Sequence, residues 1–465
     1  MFRTLLSILL SVYFVSFTGK DGSTPIPFSE RAQEQRSRWN IHTDSLDYAV
    51  SPLWLDSIQR LGGKIHHTSR WFNGATVEMD SQTAQRVAAC RFVQSVGMTR
   101  DNTNANVYIH QRKQPQVSID YGKAQEQINL YNLAPLHRAG FEGQGILMAV
   151  CDGGFYNADT ASFLDNTHLL GYFDFTDDTY DFFGSAGEHG TECLSVIAGQ
   201  TSDFCGSATQ ADYYLMRSEE NDTESPKEMD NLVAALEKAD SLGVNIFSVS
   251  LGYYEFDNAR WNLSYTDMDG TTTRCSRAAA IAARKGMLVC VAAGNEGNKS
   301  WHYIDAPADA DSILTVGAVT PQGSIASFSS RGPSRDGRTK PDVCAVGAGT
   351  CLLHPDRTAP FYGNGTSFAC PLIAGMAASL WSAMPDENAM QIRERIIRSA
   401  NRYNNPDSEY GYGIPDAWTA YTGTTGLQDT ESTAKAHKVL VHNGIHIVMG
   451  GCIYDVLGRK IGNIP

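Results

Sequence analysis

The sequence predicts an α/β protein, a doubly wound parallel sheet with helices on both faces, preceded by a small α+β module. Three observations carry this reading. From Gly143 onward, short runs nearly continuous in Val, Ile, Leu and Ala alternate with amphipathic helical stretches, the pattern of parallel strands buried on both faces and joined by crossover helices. Ahead of them, residues 48–100 mix helical and strand-like segments in a compact stretch. The composition is globular, 42% hydrophobic and 19% charged, and 465 residues leave room for one catalytic-size domain with smaller ones.

Taken in order, the chain opens on MFRTLLSILLSVYFVSF, where Arg3 precedes an apolar run too short for a stable membrane span. It reads as a secretory signal peptide over residues 1–22, followed by an N-terminal segment at 23–47. In the 48–100 module, SPLWLDSIQRLGG is an amphipathic helix stopped by Gly62-Gly63, while KIHHT, WFNGATVEM and RFVQSVGM alternate as strands around the helical SQTAQRVAA. Residues 101–121 are polar, rich in Asn and Gln, and without periodicity, hence an exposed linker. The large domain spans 122–420. Its strand candidates are ILMAVCD, DYYLMR, VNIFSVSLG, MLVCVAAGN and ILTVGAV; its helices are TECLSVIAG, MDNLVAALEKADSL, RCSRAAAIAARK, SFACPLIAGMAASLWSAM and ENAMQIRERIIRSA. A Thr/Gly-rich linker at 421–438 leads to a short tail, 439–465, with strand-like VLVHNGIHIV and CIYDVLGRKI split by Gly450-Gly451.

With 37 Lys+Arg against 51 Asp+Glu the net charge is −14, which excludes nucleic acid as the main partner because phosphate binding needs a basic surface. The 10 cysteines include no Cys-x-x-Cys pair and no Cys/His set at zinc spacing, so no structural metal is expected. Cys151, Cys290 and Cys370 lie in apolar runs and read as core residues; Cys344 and Cys351 are the pair most open to a bridge. The Asp-rich DFTDDTYDF at 174–182 lacks EF-hand spacing and reads as a solvated loop. Calcium is possible but has no specific motif, and no cofactor is required.

Four residues at strand-to-helix junctions carry chemistry. Asp152 closes ILMAVCD ahead of Gly153-Gly154. His189 opens a helix in GEHGTECLSVIAG. Ser367 sits in GNGTSFACPLIAG, at a helix start where free N–H groups favour negative charge, with Pro371 expected in the first turn. Asn295 follows MLVCVAAG on a Gly294-Asn295 turn, where a side-chain amide can face a carbonyl oxygen. Singly, these have plain readings as turn and cap residues. Together they supply the nucleophile, base, orienting acid and oxyanion donor of acyl transfer. The chain lacks a G-x-S-x-G elbow, and its order Asp, His, Ser is not that of α/β-hydrolases.

These residues stand in AVCDGG, HGT at 189–191, AAGNEG at 292–297 and GTSFACP at 365–371, joined by SVSLG at 248–252, FSSRGPS and KPDV. The set resembles the subtilisin-like (subtilase) serine peptidases over roughly residues 120–420. The resemblance implies a subtilisin-like fold and a secreted serine endopeptidase, with Ser367 as nucleophile, His189 as base then acid, Asp152 as orienter and Asn295 in the oxyanion hole. It implies that Ser250, Leu251 and Gly252 bind polypeptide substrate in extended conformation by strand addition, with Tyr253 and Tyr254 bordering a side-chain pocket. Residues 48–100 resemble the family's inhibitory propeptide, so the chain's own propeptide is an expected partner, with maturation cleavage in 101–121. The start of the large domain and the tail's YDVLGRKI resemble secreted members from Bacteroidetes-type bacteria, the tail being similar to a shortened sorting segment. The protein is expected outside the cell or on its surface, with the periplasm as alternative. Departures from the family pattern are Gly153, Glu192, Cys193 and Phe368. An alternative of a different class is a catalytically silent subtilisin-fold peptide-binding protein.

Overall fold

The computed structural model of the protein describes residues 10–100, 119–357 and 359–423, with four strands between His437 and Asn463. Residues 10–423 contribute to one compact unit, and 424–465 form a second.

The first unit opens with a four-stranded antiparallel sheet. Its strands are β1 (Leu10–Phe17), β2 (Lys64–Ser69), β3 (Gly74–Asp80) and β4 (Val93–Arg100), in the order β2-β3-β1-β4. Helices α1 (Glu30–Arg38), α2 (Pro52–Arg60) and α3 (Ser81–Ala88) complete the module. β1 lies within the stretch expected as signal peptide, 1–22, and the module begins well ahead of residue 48, a correction of its expected start. β1 is the strand that joins β3 to β4, and without it the sheet would fall into two pieces. Tyr13, Val15 and Phe17 pack with Trp54 and Ile58, while Phe14 on the opposite face meets the Arg274 guanidinium at 4.5 Å. A strand buried on both faces has the same unbroken hydropathy as the apolar core of a signal peptide, so the residues alone do not separate them.

The module docks on the large domain. Ser69 Oγ and the backbone N–H groups of Arg70 and Trp71 all donate to the Glu237 carboxylate, at 2.6, 3.0 and 3.2 Å, and Arg70 pairs with Asp240 at 2.7 Å. The segment expected as a separate stretch at 23–47 belongs to the same interface: Arg31 donates to Gly145 O and Asn245 Oδ1, and Lys285 pairs with Asp44 and Asp47.

The large domain is built on seven parallel strands in the order β13-β12-β11-β10-β5-β9-β6. They are β5 (Leu147–Asp152), β6 (His168–Asp174), β9 (Asp212–Arg217), β10 (Ile246–Val249), β11 (Leu288–Ala292), β12 (Leu314–Val319) and β13 (Val343–Val346), with a small hairpin of β7 (Gln200–Thr201) and β8 (Phe204–Cys205) and another of β14 (Ala348–Leu352) and β15 (Phe361–Asn364). The sequence reading missed β6, an edge strand interrupted by Gly171, and β13, only four residues long after Pro341. Along β5, Met148 and Val150 face one core and Leu147, Ala149 and Cys151 the other, as the two-residue period of a strand requires.

On one face lie α6 (His189–Ala198) and α9 (Thr366–Ala383), supported by α4 (Gln125–Leu130), α5 (Ala134–Arg138), α10 (Ala389–Arg398) and α11 (Ala417–Thr422); on the other lie α7 (Pro226–Leu242) and α8 (Arg274–Arg284). α9 is long and apolar enough to cross a membrane, but 89% of it is buried in the protein. From β5 the chain builds outward through β9 and β6 on one side and β10 to β13 on the other, so the winding switches between β5 and β10. A ligand site is expected outside the carboxyl ends of those two strands.

Two further expectations are corrected. The Asp-rich loop at 174–182 is not simply solvated: Asp174 and Asp178 pair with the buried Arg217, and Asp177 pairs with the buried Lys227 and with His66. Those carboxylates neutralise buried cations. Cys344 and Cys351 are both free, in β13 and β14, as are Cys90, Cys151, Cys193, Cys205, Cys275, Cys290 and Cys370. Most of the 101–121 linker (101–118) and most of the 421–438 linker lie outside the described residues. The tail forms its own antiparallel sheet, β16 (His437–Val441), β17 (Gly444–Met449), β18 (Cys452–Tyr454) and β19 (Lys460–Asn463) in sequential order, a meander where two segments were expected.

Candidate active site

Asp152 ends β5 and is fully buried. Its Oδ1 accepts from His189 Nδ1 at 2.7 Å and from Gly153 N–H at 2.8 Å. Oδ2 is buried without a hydrogen-bond partner. His189 is the first residue of α6, and Gly190 lets that helix descend onto the strand end. A Cβ at Gly190 would lie 2.4 Å from Gly154 O and 2.9 Å from Asp152 Cβ, so any larger residue would push the imidazole away from its carboxylate.

The ring is 43% exposed; what desolvation it suffers works against charge on His189, but the Asp152 carboxylate more than offsets it and holds its pKa well above the ordinary imidazole range. A base must be neutral to take a proton, so a raised pKa moves activity toward alkaline pH. The expected pH profile of kcat/KM rises through an apparent pKa above 6.5. Asp152→Asn should lower that midpoint and reduce kcat by about 10⁴. An unchanged midpoint in the variant would remove Asp152 from this role.

Ser367 is the second residue of α9 and is 8% exposed. Pro371 is the sixth helical residue, not a first-turn residue as expected. Lacking an N–H, it leaves the Ser367 carbonyl without its i+4 donor. That carbonyl is taken up from outside the helix, by Ser250 Oγ at 2.8 Å and by the Cys193 thiol at 3.3 Å. The proline is therefore paid for by two side chains, and these tie α9 to β10 and α6. Cys193, one turn beyond His189, is fully buried, and burial pushes its thiol pKa up, so it stays protonated. Ser367 Oγ donates to Ser250 O at 3.4 Å. The Phe368 ring lies 5.7 Å from the His189 ring.

Asn295 follows β11. Its Oδ1 accepts from Thr366 N–H at 2.9 Å and Thr366 Oγ1–H at 3.1 Å, while Gly294 N–H donates to Thr366 Oγ1 at 3.2 Å. Because the backbone N–H can only donate, Oδ1 is the atom facing Thr366 and Nδ2 is the donor left to the site. Thr366 was not singled out from the sequence; its place beside Ser367 in GTS was the available signal, but its bond to Asn295 joins residues far apart in the chain.

Ser250, Leu251 and Gly252 follow the end of β10, and the chain then pairs with a neighbouring segment through Tyr253 and Ala306, N···O 2.8 and 3.1 Å. Of the two tyrosines expected at a pocket, Tyr253 is buried in the core with its hydroxyl donating to Glu219, whereas Tyr254 is half-buried and stacks on Trp301 at 4.7 Å. The carboxyl edge of β5, β10 and β11 thus gathers an imidazole–carboxylate pair, a serine hydroxyl at a helix N-terminus and an oriented amide.

A family model described as the subtilase family matches residues 143–413, and one described as the peptidase S8 propeptide domain of Bacteroidota matches residues 12–117, the latter including most of β1. Subtilisin E of Bacillus subtilis (strain 168) is 27% identical over 368 residues, covering 77% of this chain and 83% of that protein. A thermophilic serine proteinase of Bacillus sp. (strain AK1) is 30% identical, covering 56% of this chain and 58% of that protein. Among solved structures, MycP1 from the ESX-1 type VII secretion system superposes with a TM-score of 0.51 at 21% identity, over 71% of this chain and 93% of that one. The prenylagaramide maturation protease PagA gives 0.50 at 24% identity, over 63% and 99%. These two likenesses concern the fold.

Proposed function

This chain belongs to the subtilase family and is a serine endopeptidase, and we propose that it is a self-processing zymogen acting through Ser367, His189, Asp152 and Asn295. The observation that carries the assignment is the 2.7 Å bond between His189 and the buried Asp152, placed beside the helix that presents Ser367. In this reading Asp152 holds the Nδ1–H tautomer, leaving Nε2 to take the Ser367 proton. Oγ then bonds to the scissile carbonyl carbon, and the developing oxyanion is met by Asn295 Nδ2 near the N-terminus of α9. Collapse breaks the C–N bond, with the proton passing from His189 to the leaving amine. Water, deprotonated by the same imidazole, releases the acyl group.

Substrate backbone lies extended along Ser250–Gly252, a mode that reads main chain. The propeptide is the chain's own inhibitor, cut within 101–121. No cofactor is required for the chemistry, and calcium has no specific motif in the chain. The zymogen design suits an enzyme released outside the cell or held at its surface, with the periplasm as alternative. The C-terminal sheet is a candidate sorting segment.

Labelling by a fluorophosphonate probe tests the assignment, since it needs an activated serine; a chain that takes no label would be a silent peptide-binding protein. Asn295→Ala should lower kcat by roughly 10²–10³ with KM little changed, because the lost donor acts on the transition state. A rise in KM alone would place Asn295 outside the oxyanion hole.

A further inference from the structure

Arg217 is a fully buried cation that takes no part in the proton transfers above. It ends β9, the strand between β5 and β6, and the register places it level with Asp152 on one side and Asp174 on the other. Its five N–H groups are matched by five acceptors. Nη1 donates to Asp174 Oδ2 at 3.2 Å and to Tyr180 O at 3.5 Å, and Nη2 donates to Asp178 and to Asn221 Oδ1 at 3.0 Å. Nε–H donates to Gly153 O at 2.9 Å, on the residue that follows the catalytic carboxylate. One acid would neutralise the charge; two, with Tyr180 O and Asn221, fix the orientation of the guanidinium plane. The loop that supplies both acids is itself fastened to α7, through Asp177 and Lys227 at 2.5 Å.

The hold on Gly153 falls where the site is otherwise loose. A Gly-Gly turn has no side chain to wedge it, so its shape depends on what holds its backbone. Gly154 is set by packing, since a Cβ there would lie 2.0 Å from Ala186 O, and its carbonyl accepts from Gly190 N–H at 2.9 Å. Gly153 has space beside it, the nearest atom to an added Cβ being Glu219 Cβ at 3.5 Å. Yet Gly153 N–H, at 2.8 Å, and His189 Nδ1, at 2.7 Å, are the two groups bonded to Asp152 Oδ1. Rotation of Gly153 would carry its N–H away and let the carboxylate turn, because the buried Oδ2 has no bond to resist it. The guanidinium on the Gly153 carbonyl opposes that rotation.

We propose that Arg217 is a positioning residue of the triad: by holding the Gly153 carbonyl it keeps the Asp152 carboxylate aimed at His189. The proposal rests on the peptidase reading above and adds a residue to it. Loss of Arg217 alone would strand two buried carboxylates, so one variant combines Arg217→Met with Asp174→Asn and Asp178→Asn, which leaves no unpaired charge behind. A second, Arg217→Lys, keeps a cation but not the fork that reaches the carbonyl and both acids at once. Rates are normalised to the fraction of chains that take the fluorophosphonate label at its end point, so unfolded protein is not counted. Both variants should show kcat per labelled site lowered about 10²-fold with KM unchanged, the scale for a reacting group displaced by about 1 Å. The downfield proton resonance of His189 Nδ1–H, which reports the bond to Asp152, should move or broaden with it. A residue that only supports the fold would lower the labelled fraction and the melting temperature and leave both readouts in place. Unchanged kcat per labelled site with an unmoved resonance, in either variant, would overturn the proposal alone. Absence of label in the unmodified enzyme would overturn the peptidase reading and this proposal with it.

Discussion

Ser367→Ala is expected to abolish peptidase activity, lowering kcat by about 10⁶, the scale that loss of the nucleophile reaches in subtilisins. The fold should survive. The hydroxyl makes only a 3.4 Å bond to Ser250 O, whereas the contacts that anchor this end of α9, from Ser250 Oγ and the Cys193 thiol, are to the backbone carbonyl, which alanine keeps. Circular dichroism and thermal unfolding should therefore match the unmodified chain within a few degrees, equivalent to less than about 1 kcal/mol. Retained probe labelling in this variant would move the nucleophile elsewhere.

The second large effect concerns maturation. In the Ser367→Ala chain the propeptide should remain uncut, while the active enzyme should lose everything up to a point within residues 101–121. Expressed alone, residues 119–465 should fold poorly, because a seven-stranded parallel sheet is built from non-local pairings whose loop closure is costly. The propeptide's Ser69–Trp71 turn docks on Glu237, and Arg70 and Arg36 meet Asp240, holding α7 against the sheet while those pairings form. Supplied in trans, residues 10–110 should restore folding and then inhibit. Residues 24–110 should not, since they lack β1 and with it the link between β3 and β4. Rescue by the shorter piece would show that β1 is dispensable to the module. Fast, complete folding of 119–465 unaided, or cutting of pure Ser367→Ala within 101–121, would remove the self-processing mechanism.

Much of the site was legible because its residues sit where local chemistry is most constrained. Asp152, His189, Asn295 and Ser367 each stand at a junction of an apolar run and a glycine turn, and short motifs report such junctions well. The alternation of apolar strands and amphipathic helices likewise carried the α/β architecture, because burial on two faces leaves a period that no partner needs to reveal. β6 and β13 escaped, one at an exposed edge and one too short to show a period.

What the amino-acid order determined by itself was therefore the class of fold, the order of the longer helices and of most strands of the central sheet, and the four residues near strand ends and helix starts. Tertiary structure alone decided the rest. Whether LSVYFVSF is a discarded leader or an internal strand depends on β3 and β4, more than fifty residues away. Whether the acids of 174–182 face water or cations depends on Arg217, Lys227 and the propeptide's His66. The fate of the carbonyl freed by Pro371, the aim of Asn295 through Thr366, and the hold of Arg217 on the Gly153 carbonyl are likewise contacts between distant segments. Hydropathy and turn propensity are properties of neighbours along the chain; which buried polar group meets which partner is set by the pairing of the sheet, and a sequence pattern contains no distance across it.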